Sequence, residues 1–225
     1  MVKLEHTDVY GWEAAIRGMR NPMNSWDKSD SNFEYPWLGV GEADLELMKR
    51  LAKGGTVHAK YRRMINVTVD ITGPLYWWKE FDTYKVGTVA NSCSTMHKIH
   101  AKEFTLEDFS HEHLFDGIIQ VEDPDNPMEF HENSTTCLEY VISVINYYRK
   151  KYIETKDKRY WWQMIQLLPS SYNQKRTVQL NYEVLVGIYR DRKNHKLDEW
   201  HTLCDWIKNL PHSELITMEE QNENA

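Results

Sequence analysis

The stretch 168–192, LPSSYNQKRTVQLNYEVLVGIYRDR, contains the most distinctive pattern of this 225-residue chain. A proline and a polar loop come first, and the apolar spacing that follows predicts one helix over Thr177–Arg192. Asn181 and Arg192 are eleven residues apart on that helix, so they would share one face at a separation of about 16 Å. Arg190 would point to the opposite side. An amide and a guanidinium at this separation indicate a binding surface for an extended ligand.

The composition of the chain is that of a globular protein with one domain. Its formal net charge of −7 disfavours non-specific nucleic-acid binding. There is no apolar run long enough to span a membrane and no apolar signal core near the start, so we expect a cytoplasmic protein. Cys93, Cys137 and Cys204 are widely spaced, which indicates reduced thiols. The spacing of the histidines matches no zinc site, so no metal is expected.

The order of the predicted elements indicates an α+β fold. Residues 65–71 alternate between apolar and polar side chains, as in a half-buried strand, and Gly73-Pro74 ends it. Pro74 begins a short aromatic helix over 75–84, where proline is favoured in the first turn. Glu80, Thr83 and Tyr84 would share one face of that helix. Further helices are predicted over 42–52, 138–152, 161–168 and 197–207.

The remaining segments are predicted to lack regular structure. Residues 1–40 are polar and rich in glycine, asparagine and tryptophan, and 101–133 form an acidic insertion. The segment 85–99 is small and polar, the composition of a loop that lets a ligand approach the backbone. The tail, 213–225, has four glutamates and no lysine or arginine, so we expect it to be disordered. The folded domain would then be 1–212.

The spacing in this stretch resembles that of the flavin-dependent thymidylate synthases. That family has a Leu-Pro dipeptide, an asparagine twelve residues after the proline and an arginine eleven residues further on. Pro169, Asn181 and Arg192 reproduce this spacing. Trp200 matches a tryptophan that follows the arginine in the family. The resemblance covers roughly residues 56–98 and 160–207.

A second part of the resemblance lies upstream, where the family has Ala-Pro ahead of an Arg-His-Arg-x7-Ser motif. Gly73-Pro74 takes the place of Ala-Pro. The motif then falls on Thr83, Tyr84 and Lys85, with Cys93 at its end. A register shifted by one residue puts it on 82–84 and Ser92. Both registers stay open.

The resemblance implies an antiparallel sheet packed with long helices and a homotetramer with sites between subunits. It implies methyl transfer to C5 of a pyrimidine deoxynucleotide, dUMP or a variant, with FAD, reduced nicotinamide (NADPH) and methylenetetrahydrofolate. Arg192 would be the catalytic residue that polarises the pyrimidine ring. The other implied contacts are His58, Thr83, Tyr84, Lys85 and Asn181 to the cofactor, and Glu80, Asn91, Ser92, Cys93 and Ser94 to the substrate.

The chain departs from the family at its arginines. Thr83, Tyr84 and Lys85 stand where the family has Arg-His-Arg, and Ile165 stands where it has a further arginine. Phosphate recognition favours the bidentate guanidinium, for which lysine substitutes only as a point charge. A second function therefore stays open, a nucleotide- or ligand-binding protein on the same scaffold without catalysis. A flavin-free transferase is the third.

Overall fold

The computed structural model describes residues 2–34, 39–116 and 133–218. One antiparallel sheet has the strand order β1-β2-β4-β3. The strands are β1 (Lys3–Tyr10), β2 (Asn66–Pro74), β3 (Val89–Ser92) and β4 (Asn173–Asn181). The helices are α1 (Trp12–Arg20), α2 (Glu42–Lys53), α3 (Leu75–Phe81), α4 (Ser134–Thr155), α5 (Lys158–Leu167), α6 (Tyr182–Arg192), α7 (Asp198–Lys208) and α8 (Glu214–Thr217). The predicted α+β class is thus confirmed.

Strand β2 confirms the alternation seen in the sequence. Val67, Val69 and Ile71 are buried, and the polar residues between them are half-buried. Helix α3 begins directly after this strand but ends at Phe81. The prediction of one helix over 75–84 is therefore wrong at its end, because Thr83 and Tyr84 lie in the turn beyond it.

One compact unit comprises residues 72–80 and the described part of 92–175. Helices α4 and α5 pack against each other here, and each begins at a side-chain cap. The Asn133 side chain accepts a hydrogen bond from Thr136 N, and the Asp157 side chain accepts one from Arg159 N. The buried apolar cluster consists of Ile99, Phe104, Phe109, Leu138, Ile142, Ile145 and Met164. The helices predicted over 138–152 and 161–168 are confirmed, with bounds shifted by a few residues.

The second compact unit comprises the described part of 2–71, residues 81–91 and the described part of 176–225. It contains β1, most of β2 and β4, and helices α1, α2, α6, α7 and α8. Its buried apolar residues include Met48, Ile65, Val178, Leu180, Leu185, Ile188, Trp200 and Leu203. Helices α2 and α7 confirm the predictions over 42–52 and 197–207.

Two segments predicted to be irregular are folded. Residues 1–40 contain β1 and α1, so that prediction is wrong for most of the segment. The expected disorder of 213–225 is also wrong for its first part, since α8 buries Leu215 and Ile216. Residues 219–225 lie outside the described part.

Within the insertion 101–133, the structure describes residues 101–116 and Asn133, which caps α4. Residues 101–116 contain a short 3-10 helix, Leu106–Asp108, and Phe109 forms an isolated antiparallel β-bridge with Tyr172. The loop predicted over 85–99 includes the short strand β3. Within the described ranges, no helix combines the length and the apolar character needed to cross a membrane.

The main correction concerns the helix predicted over Thr177–Arg192. Residues up to Asn181 belong to β4, and α6 begins only at Tyr182. In β4, Gln174, Val178 and Leu180 are buried, and this alternation is a period of two rather than 3.6. Asn181 is therefore the residue before the helix and does not share a helical face with Arg192.

Candidate functional site

Asn181 joins the sheet to the helix that carries Arg192. Its backbone is extended, and its side-chain oxygen accepts a hydrogen bond of 3.1 Å from Val184 N. This cap satisfies one of the amide groups left without a partner at a helix start. Tyr182 N also donates to Ile65 O at 3.0 Å, beside the start of β2. The sheet therefore fixes the position at which α6 begins.

Arg192, the last residue of α6, is held by two aromatic side chains. Its Nε donates a hydrogen bond of 2.9 Å to the Tyr84 hydroxyl. Its guanidinium carbon lies 4.5 Å from the centre of the Trp200 ring, a cation–π distance. Trp200 is fully buried, while Arg192 and Tyr84 are half-buried. The guanidinium is thus oriented at a position that solvent reaches.

Trp200 is in turn fixed by three rings. Phe81, at the end of α3, stacks on it with centroids 6.3 Å apart and planes 14° from parallel. Tyr84 and His195 meet it edge-on, at 6.0 and 6.2 Å. Such aromatic contacts hold the indole in one orientation. The ends of α3 and α6 and the start of α7 therefore converge on one rigid aromatic cluster.

The Tyr84 hydroxyl keeps its proton at neutral pH. Burial raises the pKa of this phenol above its ordinary value of 10.0, and the nearby charge of Asp191 acts in the same direction. The hydrogen bond and the charge of Arg192 lower the pKa, but they offset burial only in part. The hydroxyl is consequently a neutral group that can both accept and donate a hydrogen bond.

The turn after Tyr84 runs close to the start of α6. Gly87 has a φ of +78°, and a Cβ there would lie 3.1 Å from Val184 Cγ2 and 3.2 Å from Asn181 Nδ2. The positive φ favours glycine, and a side chain there would also press on Val184 and Asn181. The neighbouring Thr88 hydroxyl is buried, and no group in the described part of the chain forms a hydrogen bond with it. A buried hydroxyl of this kind calls for a partner, and a ligand could supply one.

The remaining cofactor residues predicted from the sequence lie in different places. Thr83 and Lys85 flank Tyr84 and are exposed. His58 is exposed in the turn that follows α2, with its ring against Gly54. Asn181 uses its side-chain oxygen for the cap, which leaves its Nδ2 amide for a ligand. The structure thus brings Tyr84 and Arg192 into direct contact.

The predicted substrate residues are divided between the two units. Asn91 is exposed on β3 in the unit that contains Arg192. Glu80, Ser92, Cys93 and Ser94 belong to the other unit. There, Cys93 N donates to Lys175 O at 2.9 Å, and Ser94 Oγ accepts from the backbone of the turn that follows it.

Two residues of the aromatic cluster, Phe81 and His195, are absent from the set predicted from sequence. They match no motif, since each is defined by a contact rather than by spacing. Trp200 does have a signal, an aromatic residue eight positions after Arg192. That spacing indicated family likeness but gave no sign that the indole would lie against the guanidinium.

Comparison with solved structures identifies the fold. It is the fold of the flavin-dependent thymidylate synthases, as the resemblance in the sequence implied. Thymidylate synthase X (ThyX) from Helicobacter pylori, solved with FAD and dUMP, matches with a TM-score of 0.63 at 16% identity, over 97% of this chain and 96% of that one. The UMP/dUMP methylase PolB from Streptomyces cacaoi, bound with 5-Br dUMP, matches with a TM-score of 0.59 at 14% identity, over 96% and 94%. No protein-family model and no curated protein sequence matches the chain.

Proposed function

We propose that this chain is a ThyX-type methyltransferase that acts on C5 of a pyrimidine nucleotide, dUMP or a close variant, with FAD as cofactor. The observation that carries the proposal is the guanidinium of Arg192, held between the Tyr84 hydroxyl and the Trp200 ring. It supports the proposal because a fixed cation stabilises negative charge that develops on a pyrimidine ring. Arg192 is accordingly the catalytic residue.

The segment 84–88 offers groups that fit an aromatic, anionic ligand such as FAD. The buried Thr88 hydroxyl lacks a hydrogen-bond partner in the described chain. Lys85, three residues before Thr88 in the sequence, is exposed and offers a positive charge. We assign Thr83, Tyr84, Lys85, Asn181 and His58 to flavin contacts, with the Tyr84 ring and the Asn181 amide facing the ring system and Lys85 a phosphate.

The chemistry divides between the bound groups and this chain. When bound, reduced FAD would supply the two electrons that turn a methylene from methylenetetrahydrofolate into a methyl group. NADPH would then reduce the oxidised FAD again. At the substrate, C5 would form a bond to the one-carbon unit and lose its proton, while the bonds from that carbon to the folate nitrogens break and tetrahydrofolate leaves. The charge of Arg192 stabilises the electron-rich ring while that bond forms. Asn91, in the unit that contains Arg192, is assigned to the sugar and phosphate.

Three measurements on freshly purified protein test this proposal. A flavin absorption spectrum, with FAD released on heating, is expected, and so is release of tritium from [5-³H]dUMP in the presence of the folate and NADPH. Native mass spectrometry should show FAD on a homotetramer, the proposed assembly. Colourless protein that takes up no added FAD and releases no tritium contradicts the proposal.

A second candidate is a nucleotide-binding protein without catalysis. The observation that favours it is Thr83-Tyr84-Lys85, a single lysine where the family has two guanidinium groups. Because lysine cannot form the bidentate contact, phosphate and flavin would be bound more weakly. Binding of dUMP to colourless protein, without tritium release when FAD is added in excess, identifies this function.

A further inference from the structure

The Tyr84 hydroxyl has an unused donor. It accepts one hydrogen bond, from Arg192 Nε. A phenol can also donate its own hydrogen, but none of its hydrogen bonds in the described ranges uses this donor. The side chain is half-buried, so a ligand beside Arg192 can reach it.

The contact with Arg192 also strengthens that donor. A cationic N–H that donates to the phenol oxygen draws electron density from the O–H bond, and hydrogen bonds arranged in a chain polarise one another. Burial meanwhile raises the pKa of the phenol, so the hydrogen stays in place at neutral pH. Arg192 and Tyr84 therefore form a chain of two donors that ends at the phenol hydrogen.

We infer that Tyr84 donates a hydrogen bond to a carbonyl oxygen of the pyrimidine ring, and that Tyr84 is thereby a second catalytic residue beside Arg192. The inference rests on the proposed function, since it needs a bound pyrimidine. A carbonyl is the better acceptor to assign, because a phosphate favours charged donors and the Tyr84 hydroxyl is neutral. The hydrogen bond strengthens as negative charge moves onto the carbonyl oxygen.

The test is Tyr84→Phe, which removes the hydroxyl and keeps the ring. Calorimetric titration with dUMP and with deoxyuridine, which lacks the phosphate, measures binding. Loss of one hydrogen bond should weaken both by about 3- to 10-fold. Tritium release from dUMP should fall by about 100-fold, since removing one donor to a developing oxyanion has that effect. Tyr147→Phe, at an exposed tyrosine of α4, is the matched control and should change neither.

Each other outcome has a definite meaning. If Tyr84→Phe weakens dUMP but leaves deoxyuridine unchanged, the hydroxyl contacts the phosphate and the inference is overturned. Unchanged binding and turnover overturn it as well. Wild-type protein that binds neither dUMP nor deoxyuridine overturns the proposed function itself, and the inference with it.

A second variant tests the inference if Tyr84→Phe fails to fold. Site-specific fluorotyrosine at position 84 keeps the hydroxyl but makes it more acidic. The alkaline limb of the pH–rate profile should then shift to lower pH, because the hydroxyl loses its donor hydrogen when it ionises. A purely structural role for Tyr84 would leave that limb unmoved, and an unmoved limb overturns the inference.

Discussion

Two arginines of the same unit are held in contrasting ways. Arg20 is 5% exposed and donates through Nε to the fully buried carboxylate of Asp44 at 2.6 Å. The hydroxyl groups of Ser29 and Ser31 donate to the same carboxylate. Arg192, by contrast, is half-buried and contacts a phenol and an indole. Arg20 is buried against an anion, whereas Arg192 is half-buried beside two aromatic rings.

From this difference we expect a structural role for Arg20 and, on the proposed function, a catalytic role for Arg192. The Asp44 carboxylate neutralises the charge of the Arg20 guanidinium. This pair therefore stabilises the folded state and exerts little electrostatic attraction on a ligand. The phenol of Tyr84 and the indole of Trp200 orient the half-buried guanidinium of Arg192. Variants at these two clusters should therefore act on different quantities, stability for Arg20–Asp44 and turnover for Arg192.

The largest effect is expected for Asp44→Ala. The substitution leaves the Arg20 guanidinium buried without its carboxylate, which costs about 3–5 kcal/mol of unfolding free energy. Urea unfolding measures this loss. Asp205→Ala is the control, because Asp205 pairs with Lys208 on the surface, where such pairs contribute about 0–1 kcal/mol. Equal losses for the two variants would contradict the structural role of the buried pair.

Arg192→Ala should affect turnover instead. We expect tritium release from dUMP to fall by about 100-fold or more, with an unfolding free energy within about 1 kcal/mol of the wild type because the side chain is half-buried. A stability loss as large as that of Asp44→Ala, with turnover preserved, would reverse the assignment of the two arginines.

A smaller loss of unfolding free energy is expected at low pH. Burial alone would raise the pKa of Asp44, but the hydrogen bonds from Ser29, Ser31 and Arg20 outweigh it and hold the pKa below its ordinary value of 3.8. The carboxylate then contributes its full stabilisation above pH 3.8, and this is lost as the pH falls through the lower folded-state value. Unfolding free energies measured below pH 3.8 should show this loss. Their dependence on pH should be shallower in Asp44→Asn, and an unchanged slope in that variant would disprove the role of the carboxylate.

Asn181→Ala should lower the unfolding free energy by about 1 kcal/mol, the usual contribution of a helix N-cap. Asn181→Asp keeps an acceptor for Val184 N and should restore most of the loss. Thermal unfolding of the two variants gives the comparison. If both lose the same amount, the cap oxygen is not the source of the effect.

The smallest effect is expected for Arg190→Ala. This side chain is exposed and pairs with its neighbour Asp191, so stability should change by less than about 0.5 kcal/mol. Tritium release should remain at the wild-type level. A loss of turnover comparable to that of Arg192→Ala would mean that α6 presents the other arginine to the substrate.

The sequence predicted those helices and strands in which apolar residues recur at a regular interval over many positions. Strand β2 and helix α7 were found because buried residues recur at the right interval. Strand β4 was missed because its buried side chains, Gln174, Val178 and Leu180, form a short and partly polar alternation that runs directly into a helical pattern. Strand β1 was missed because it is largely exposed. Helix α1 had a usable signal, with apolar residues at 12, 15, 16 and 19.

For the candidate site, spacing selected Arg192 and Tyr84 but gave no sign of the contact between them. Arg192 is separated from Tyr84 by 108 positions, and only the fold brings them to 2.9 Å. The pattern also misplaced Asn181 within a helix. Asparagine is a poor helix former and is favoured at helix N-caps. Its chemistry therefore supported a position just before the helix that begins at Tyr182.

The direct passage from β4 into α6 also limits how the sequence can change. Asn181 ends the strand and caps the helix, so no loop residue lies between them to absorb an insertion. One residue added between Asn181 and Arg192 would turn the end of the helix by about 100° and move it about 1.5 Å along the axis. The guanidinium would then leave the Trp200 ring. Substitutions can accumulate along this segment, but its length cannot vary while Arg192 keeps its position.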